Sequence, residues 1–516
     1  MPKEKGSKIV LTASVGEMSD YKLNPFVAFI GSFPKTLFPL WLLRKCWYPP
    51  PENNGDKTVK YAPYGLRKVE ASLLENGFDE SDIATVHPHN LDLFVGPETK
   101  VVGVSTMDPL GAGYVSLTYS SLVGGEPINA IEFRKLMEKK CFRKYNPKTI
   151  VGGAGAWQLA YESTRNIFQI DCVVIGESEK IIPELFSKAV KGEKLPSVIH
   201  ANVSSNEEIP SIRKPSLYGC VEVSRGCGRN CRFCSPTMRN RRFFSLDEIM
   251  REVEVNVKGG SKMILLSTED FLLYKAKNKS FIPNRDAVLK LFKKISEYPG
   301  VKIIQPTHMS LAPVVVDPAL VSELSEILIE HSWIEYKGKP YVTAETGIET
   351  GSTHLIRRLM AGKPLPFKPE DWYDIVLQAL GILNDSNWIP LATFVSSLPG
   401  ETEDDAMKTL ELVDDLHEYK CFFVPLLFVP LEECSLRNEC RADLTSFSGA
   451  QQELFARCWE HNIRVWRASW LERKVARFIL MWFIDFIYLT YYKWTNRKKF
   501  LRRLMSRLYQ TNHKHQ

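Results

Sequence analysis

The stretch Cys227-Gly-Arg-Asn-Cys231-Arg-Phe-Cys234 decides how the rest of the chain is read. Eleven cysteines scattered at random over 516 residues would give a C-x3-C-x2-C triplet only about 0.005 times. Three thiols packed this closely therefore share a chemical reason. Thiolates are the usual ligands of iron-sulfur clusters, and three of them leave one iron of a 4Fe-4S cube open to another molecule. A closed structural zinc site wants four ligands at paired spacings, and no second C-x2-C pair follows.

Outward from that loop, length and composition set the frame. A chain of 516 residues suggests two or three domains, and 44% hydrophobic with 25% charged residues is the balance of a folded globular protein. The net charge of +7 is too mild to call for a nucleic-acid partner. The basic excess sits at the C-terminus, where Lys493 to Arg507 carries seven basic residues and no acidic one. Just before it, the 15-residue run Phe478–Tyr492 is broken by Asp485, which is short for a span. It reads as a buried helix or as an interfacial one, the latter giving the tail a peripheral membrane contact. The N-terminus has no signal-peptide pattern, and an odd cysteine count argues against a full disulfide framework, so a reducing, cytoplasmic setting is expected.

Ahead of the cysteine loop, Lys8–Ala13, Ala84–Val86, Val101–Val104, Thr149–Val151 and Cys172–Ile175 read as strands, with helical patterns at 66–74 and 130–139. Such alternation predicts an open, mainly parallel sheet. In such sheets ligands lie at the carboxyl ends of the strands. Here those ends carry three loops, Ser105–Gly111, Gly152–Gln158 and Gly176–Glu179, whose glycines would let a bulky ligand approach the backbone. The apolar stretch Phe26–Leu43, interrupted by Pro34, Lys35 and Pro39, reads as a capping or lid segment. His87 and His89 are expected on the surface, and the polar run Lys191–Ser211 as a linker.

Beyond the cysteine loop, Ser245 and Glu248 form a capping-box pattern at a helix start. Strand-like segments at 263–266, 301–304, 341–343 and 391–395 then alternate with helical ones at 287–296, 318–330 and 375–384. From about Glu403 the chain reads as helical and aromatic, with Cys421, Cys434, Cys440 and Cys458 too widely spaced to announce a second metal site. The domain expectation is residues 1–200, 212–402 and a helical 403–516 with a basic tail.

The cysteine triplet, with Phe233 before its last thiol, resembles the signature of the radical S-adenosylmethionine (SAM) family. That resemblance implies a 4Fe-4S cluster on Cys227, Cys231 and Cys234, whose open iron chelates SAM. One electron then releases a 5′-deoxyadenosyl radical that takes a hydrogen atom from the substrate. It also implies a partial barrel of six β/α units, with the chemistry at the strand carboxyl ends. Phe233, Ser267, Thr268, Glu269, Asp270, Gln305, Glu345 and Glu349 become candidate SAM contacts. Ser267-Thr268-Glu269 stands where the family usually has Gly-Gly-Glu, so Glu269 or Asp270 would hold the methionyl amine. Glu349 has a second reading as a structural carboxylate, and His308 reads as a packed strand-end residue, because hydrogen-atom abstraction needs no proton transfer there.

The first 200 residues are similar to the cobalamin-binding Rossmann-like domain of one branch of that family. This implies corrin contacts from Thr106, Asp108, Pro109, Leu110, Gly152, Gly153, Gly155, Ala156, Trp157, Gln158, Gly176, Glu177 and Ser178. The Asp-x-His-x-x-Gly motif that supplies a histidine to cobalt is missing, which implies a state without histidine ligation, Thr106, Asp108, Pro109 or Leu110 lying near the lower face. The fold class expected is α/β: a Rossmann-like cobalamin domain, a partial (β/α)6 radical SAM barrel and a helical C-terminal region.

The resemblance points first to a radical C-methyltransferase, near the archaeal glutamine C-methyltransferases, with a protein substrate and an external one-electron reductant. Its alternative, near the archaeal tetraether ring synthases, joins carbons in a membrane lipid. A reading of another class is a non-catalytic cobalamin or iron-sulfur sensor.

Overall fold

The structure is a computed structural model that describes residues 5–471 apart from 37–39, 47, 49, 51, 237–238 and 278–279. The apolar run from Phe478 and the basic tail lie outside the described residues. Among the described residues no helix is long and apolar enough to cross a membrane. The chain divides into two compact units: Met1–Ser120, Gly124–Val221 and Phe244–Ile264 form one; Ser121–Val123, Glu222–Phe243 and Leu265–Gln516 form the other.

In the first unit, β1 (Ile9–Ala13), β2 (Ile83–Thr85), β3 (Val101–Ser105), β4 (Lys148–Gly152), β5 (Cys172–Gly176) and β6 (Val198–Ala201) make one sheet, ordered β2-β1-β3-β4-β5-β6. All five pairings are parallel. The strands are near-continuous apolar runs because both faces are covered. Side chains alternate between faces, so Val10, Val102, Val104, Val151 and Val173 enter one core with Phe133 and Leu136 of the helix Ile128–Met137. Ile9, Leu11, Val101, Ile150 and Val174 enter the other, with Leu66 of Tyr64–Glu75 and Phe186 of Ile182–Val190. Each fully buried aliphatic side chain contributes roughly 1.5–3 kcal/mol. The strand order reverses between β1 and β3, which makes that edge the switch point of a doubly wound fold.

Two expectations change here. The stretch expected to be a linker supplies β6, a short edge strand whose half-exposed residues hide its periodicity. His87, expected on the surface, is 1% exposed: it follows β2 directly, and its Nδ1 accepts from the His89 amide at 3.2 Å. Burial depresses its pKa to about 3, so it is a neutral packed imidazole.

The helix Leu246–Lys258 starts at Ser245 with the expected capping box, Ser245 Oγ accepting from the Glu248 amide and Glu248 from the Ser245 amide. Its buried Glu252 accepts from Lys68 Nζ at 2.7 Å, the Tyr64 hydroxyl at 2.7 Å and the Ile212 amide at 3.0 Å.

From residue 220 onward the strands are β7 (Cys220–Glu222), β8 (Ser224–Arg225), β9 (Arg242–Phe243), β10 (Met263–Ser267), β11 (Ile303–Pro306), β12 (Ile334–Tyr336), β13 (Lys339–Tyr341), β14 (Glu345–Glu349), β15 (Leu391–Ser396) and β16 (Phe422–Leu427). They give two three-stranded sheets, β11-β10-β7 and β14-β15-β16, joined by a parallel bridge between His308 and Glu345. The six strands are those of a partial β/α barrel. β12 and β13 form an antiparallel hairpin beside it, so the strand expected at 341–343 belongs to that hairpin at its first residue, and Glu345–Glu349 is the barrel strand. β16 arises in the stretch expected to be helical, just before the long helix Gly449–Leu471. The turn at Leu398–Thr402 ends in Thr402, which caps the helix Glu403–Asp415.

Candidate active site

β8 and β9 pair antiparallel and close the base of the cysteine loop. At its entry Gly226 has φ +76°, and a Cβ there would lie 2.5 Å from the Asn240 carbonyl oxygen, so only glycine fits. The Cys227 amide donates to the Pro236 carbonyl at 3.3 Å, Cys234 to Cys231 at 3.1 Å and Arg232 to Leu359 at 2.9 Å. Cys227, Cys231 and Phe233 are buried and Cys234 is half-buried; none of the three thiols is in a disulfide. Burial pushes the Cys227 thiol up to about 11 and raises Cys231, the charges of Arg229 and Lys363 opposing. Among the described residues no three His, Cys, Asp or Glu side chains already converge as a metal site. The donor set itself, three thiols on one loop shaped by glycine and pinned by backbone hydrogen bonds, is the chemistry a 4Fe-4S cluster with one open iron requires.

Charged groups surround this loop. Arg229 is 3% exposed and donates from Nη1 to the carbonyls of Gly362 at 3.1 Å, Lys363 at 2.8 Å and Leu365 at 3.2 Å. Its Nη2 is 3.6 Å from Asp270 Oδ2, an ion pair too long for a hydrogen bond. Glu269 accepts from the Gly226 amide at 3.3 Å through Oε1, while its Oε2 is buried without a hydrogen-bond partner. Burial raises the pKa of both carboxyls. Thr268 is tied to Ser224 at 2.6 Å and to the Asp270 amide at 3.2 Å, and the Ser267 carbonyl accepts from Val223 at 2.9 Å.

The remaining candidates differ in how far they are committed. Gln305 donates to Pro306 at 2.7 Å and Thr343 at 2.9 Å and accepts from Trp333 Nε1 at 2.7 Å. Glu349, at φ +68°, pairs with Lys363 Nζ at 3.1 Å and accepts from the Thr393 hydroxyl at 3.1 Å. Glu345 Oε2 lies 3.4 Å from His308 Nδ1. Half-exposed rather than packed, His308 is held above its ordinary pKa because the hydrogen bond and charge of Glu345 outweigh burial. Arg229 and Lys363 were not legible as site residues: Lys363 lies far along the chain from the cysteines and reaches them only through the barrel's closure.

In the first unit, the loops after β3 and β4 are joined by Asp108. It accepts from the Gly113 amide at 3.0 Å, Gln158 Nε2 at 2.7 Å and the Ser116 hydroxyl, and Gln158 Oε1 in turn accepts from the Leu110 amide at 2.9 Å. A Cβ on Gly155 would lie 2.3 Å from the Met107 carbonyl oxygen and 2.6 Å from Pro109 Cδ. That glycine therefore serves the packing of one loop on the next. Gly153 does the same against Thr106. Ala156 is buried, Trp157 packs partly against the core, and Gly152 continues β4. Gly176 ends β5, Glu177 accepts from the Ser204 amide at 3.1 Å, and the Ser178 carbonyl receives the Ile181 and Ile182 amides. At the switch point Glu17, a residue sequence reading passed over, accepts from the Met107 amide at 3.0 Å. Burial and nearby Asp108 raise its pKa to about 8. Met107 and Leu110 remain 67% and 39% exposed there, an apolar shelf beside a polar clamp.

Residues 221–413 match the model of the Radical SAM superfamily. A tRNA-2-methylthio-N(6)-dimethylallyladenosine synthase of Sulfurihydrogenibium sp. (strain YO3AOP1) is 26% identical over 301 residues, 56% of this chain and 62% of that one. The ribosomal protein uS12 methylthiotransferase RimO of Thermoanaerobacter sp. (strain X514) is 31% identical over 150 residues, 28% of this chain and 33% of that one. The chain thus spans less than two thirds of the length of these relatives. Among solved structures, the radical SAM methyltransferase TsrM of Kitasatospora setae, with cobalamin and a [4Fe-4S] cluster bound, superposes with a TM-score of 0.53 at 13% identity, covering 84% of this chain and 74% of that one. At that identity the likeness speaks for the fold. Together with the cysteine loop, the match makes residues 221–413 similar to a radical SAM domain.

Proposed function

From a radical SAM domain preceded by a doubly wound sheet, we propose a cobalamin-dependent radical SAM enzyme that C-methylates an unreactive C–H position, a protein side chain such as glutamine being the substrate. One observation carries the SAM part: the buried Oε2 of Glu269 lacks a partner beside the amide that opens the cysteine loop. A buried carboxylate oxygen left unpaired is costly unless a ligand donor completes it. Both oxygens of Asp270 also lack a hydrogen-bond partner, but Asp270 has Arg229 3.6 Å away as a counter-ion, and Glu269, held by the amide at the loop's entry, is the carboxylate we assign to the methionyl amine. Cys227, Cys231 and Cys234 would hold the cluster, with Phe233 buried between the last two. Gln305, with its amide bonded inside the protein, would shape the wall.

For the corrin, the exposed Met107 and Leu110 at the switch point fit the broad apolar face of such a ring, with Glu17 and Asp108 fixing the loop beneath it. The three loops contain no histidine, and buried His87 is turned to His89, in keeping with cobalt lacking histidine ligation. When bound, the cluster would supply a low-potential electron from an external reductant and the corrin a transferable methyl group. The chain's own part is to hold the SAM amine at Glu269, exclude water through the buried ion pairs of Arg229 and Lys363, and orient the substrate at the barrel mouth.

The test is anaerobic reconstitution with iron, sulfide and hydroxocobalamin, followed by reduction with SAM present. The enzyme forms 5′-deoxyadenosine and Cys231→Ala does not. Protein that binds both cofactors without forming it would be a sensor, and the proposal would fail.

A further inference from the structure

We infer that His308, oriented by Glu345, is a substrate-binding residue that donates a hydrogen bond from Nε2 to a neutral carbonyl oxygen beside the reacting carbon. This rests on the radical SAM reading of the same barrel. His308 follows β11 at the carboxyl end, the end where barrels of this kind do their chemistry. Its backbone is pinned on two sides: its carbonyl accepts from the Phe271 amide at 3.1 Å, one residue past Asp270, and it forms the parallel bridge to Glu345. Nδ1 faces Glu345 Oε2 at 3.4 Å, which fixes the ring and leaves Nε2 without a protein partner among the described residues. The side chain is 42% accessible, so a ligand can reach it at this end of the barrel.

The hydrogen bond and charge of Glu345, joined by Glu349, hold the imidazole above its ordinary pKa against burial and Lys363, and in its protonated form both ring nitrogens are donors. Hydrogen-atom abstraction consumes no proton, so a cationic donor at the mouth has a binding task rather than an acid-base one. The charges already close in pairs: His308 with Glu345, Lys363 with Glu349, Arg229 with Asp270. A full negative charge placed at His308 would sit beside Glu345, which already pairs with the ring. A neutral acceptor, the carbonyl of a carboxamide or similar group, is therefore the better complement, and it would hold the neighbouring C–H in one place.

The test uses the full chain, reconstituted anaerobically with its cluster and SAM, and otherwise identical short peptides centred on glutamine, glutamate or leucine. The glutamine peptide binds about tenfold more tightly than the leucine peptide, and more tightly than the glutamate peptide, as one charge-assisted hydrogen bond implies. His308→Phe erases the preference, while His308→Gln, which keeps a donor, retains most of it; melting curves check that both variants fold. Equal binding of glutamine and leucine peptides, no binding of any peptide, or a loss in His308→Phe that falls on SAM affinity instead overturns the assignment. In the same preparation 5′-deoxyadenosine formation separates the two claims: if it is present without a peptide preference, only the His308 assignment falls, and if it is absent, the radical SAM reading falls with it.

Discussion

Glu269 and Asp270 are adjacent carboxylates in one buried turn, and geometry gives them different work. Asp270 has Arg229 as a counter-ion at 3.6 Å although neither of its oxygens has a hydrogen-bond partner, whereas Glu269 accepts from the Gly226 amide with one oxygen and keeps the other unsatisfied. Glu269→Ala should therefore weaken SAM binding to the reconstituted protein by about 10- to 100-fold, the worth of a charge-assisted hydrogen bond, measured by equilibrium dialysis. Asp270→Asn should act mainly on stability, because it leaves Arg229 buried without its charge partner. Glu17 makes a pH prediction. Its folded pKa is raised from 4.5 to about 8, so between those values the folded state holds a proton the unfolded state has released. Its contribution then lowers stability progressively as pH rises from about 4.5 to about 8. Glu17→Gln should gain stability relative to the native protein more at pH 8 than at pH 5, read as the difference in Tm across pH; a constant difference would contradict this. Among single residues, the cysteines were legible because thiols at that spacing have few purposes. Arg229, Lys363 and Glu17 were not, since an isolated charge carries no sign of burial until the fold encloses it. His87 misled for the same reason: its polar neighbours are sequence neighbours, while its packing comes from the sheet.

At the scale of elements, the helix Leu246–Lys258 shows how a capped amphipathic helix can carry a buried charge. Glu252 satisfies Lys68, Tyr64 and the Ile212 amide at once. Glu252→Ala should cost about 3–5 kcal/mol in urea unfolding, because Lys68 is left charged and enclosed. Glu252→Gln should cost less, and equal losses would contradict the ion-pair account. The parallel strands β1, β3, β4 and β5 were legible because strands buried on both faces are continuous apolar runs. β6 was hidden by its half-exposed edge position. β16 was hidden by Pro425 and by aromatic residues shared with the helical stretch around it. The loop glycines were correctly placed at the strand ends, but Gly153 and Gly155 serve contacts between loops, which sequence cannot distinguish from contacts to a ligand.

For the molecule as a whole, the alternation of strands and helices was enough to expect an open, mainly parallel sheet, whereas the barrel followed from the resemblance carried by the cysteine loop, because alternation alone does not separate a barrel from a doubly wound sheet. The residues that complete the site are drawn from β10, β11, β14 and the segment near Lys363, so their meeting is a property of barrel closure. The proposed cofactors draw on residues of different compact units. Cys231→Ala should therefore lose the cluster and keep hydroxocobalamin, with corrin absorbance per mole unchanged and iron content reduced; loss of both together would contradict independent sites. The most direct test of the central claim, that three cysteines leave one iron of a cube open for SAM, is low-temperature EPR of the reduced, reconstituted protein with and without SAM. The account predicts a [4Fe-4S]+ signal that changes on addition of SAM and is missing in Cys231→Ala. A signal indifferent to SAM, or a cluster already capped by a fourth protein ligand, would contradict it.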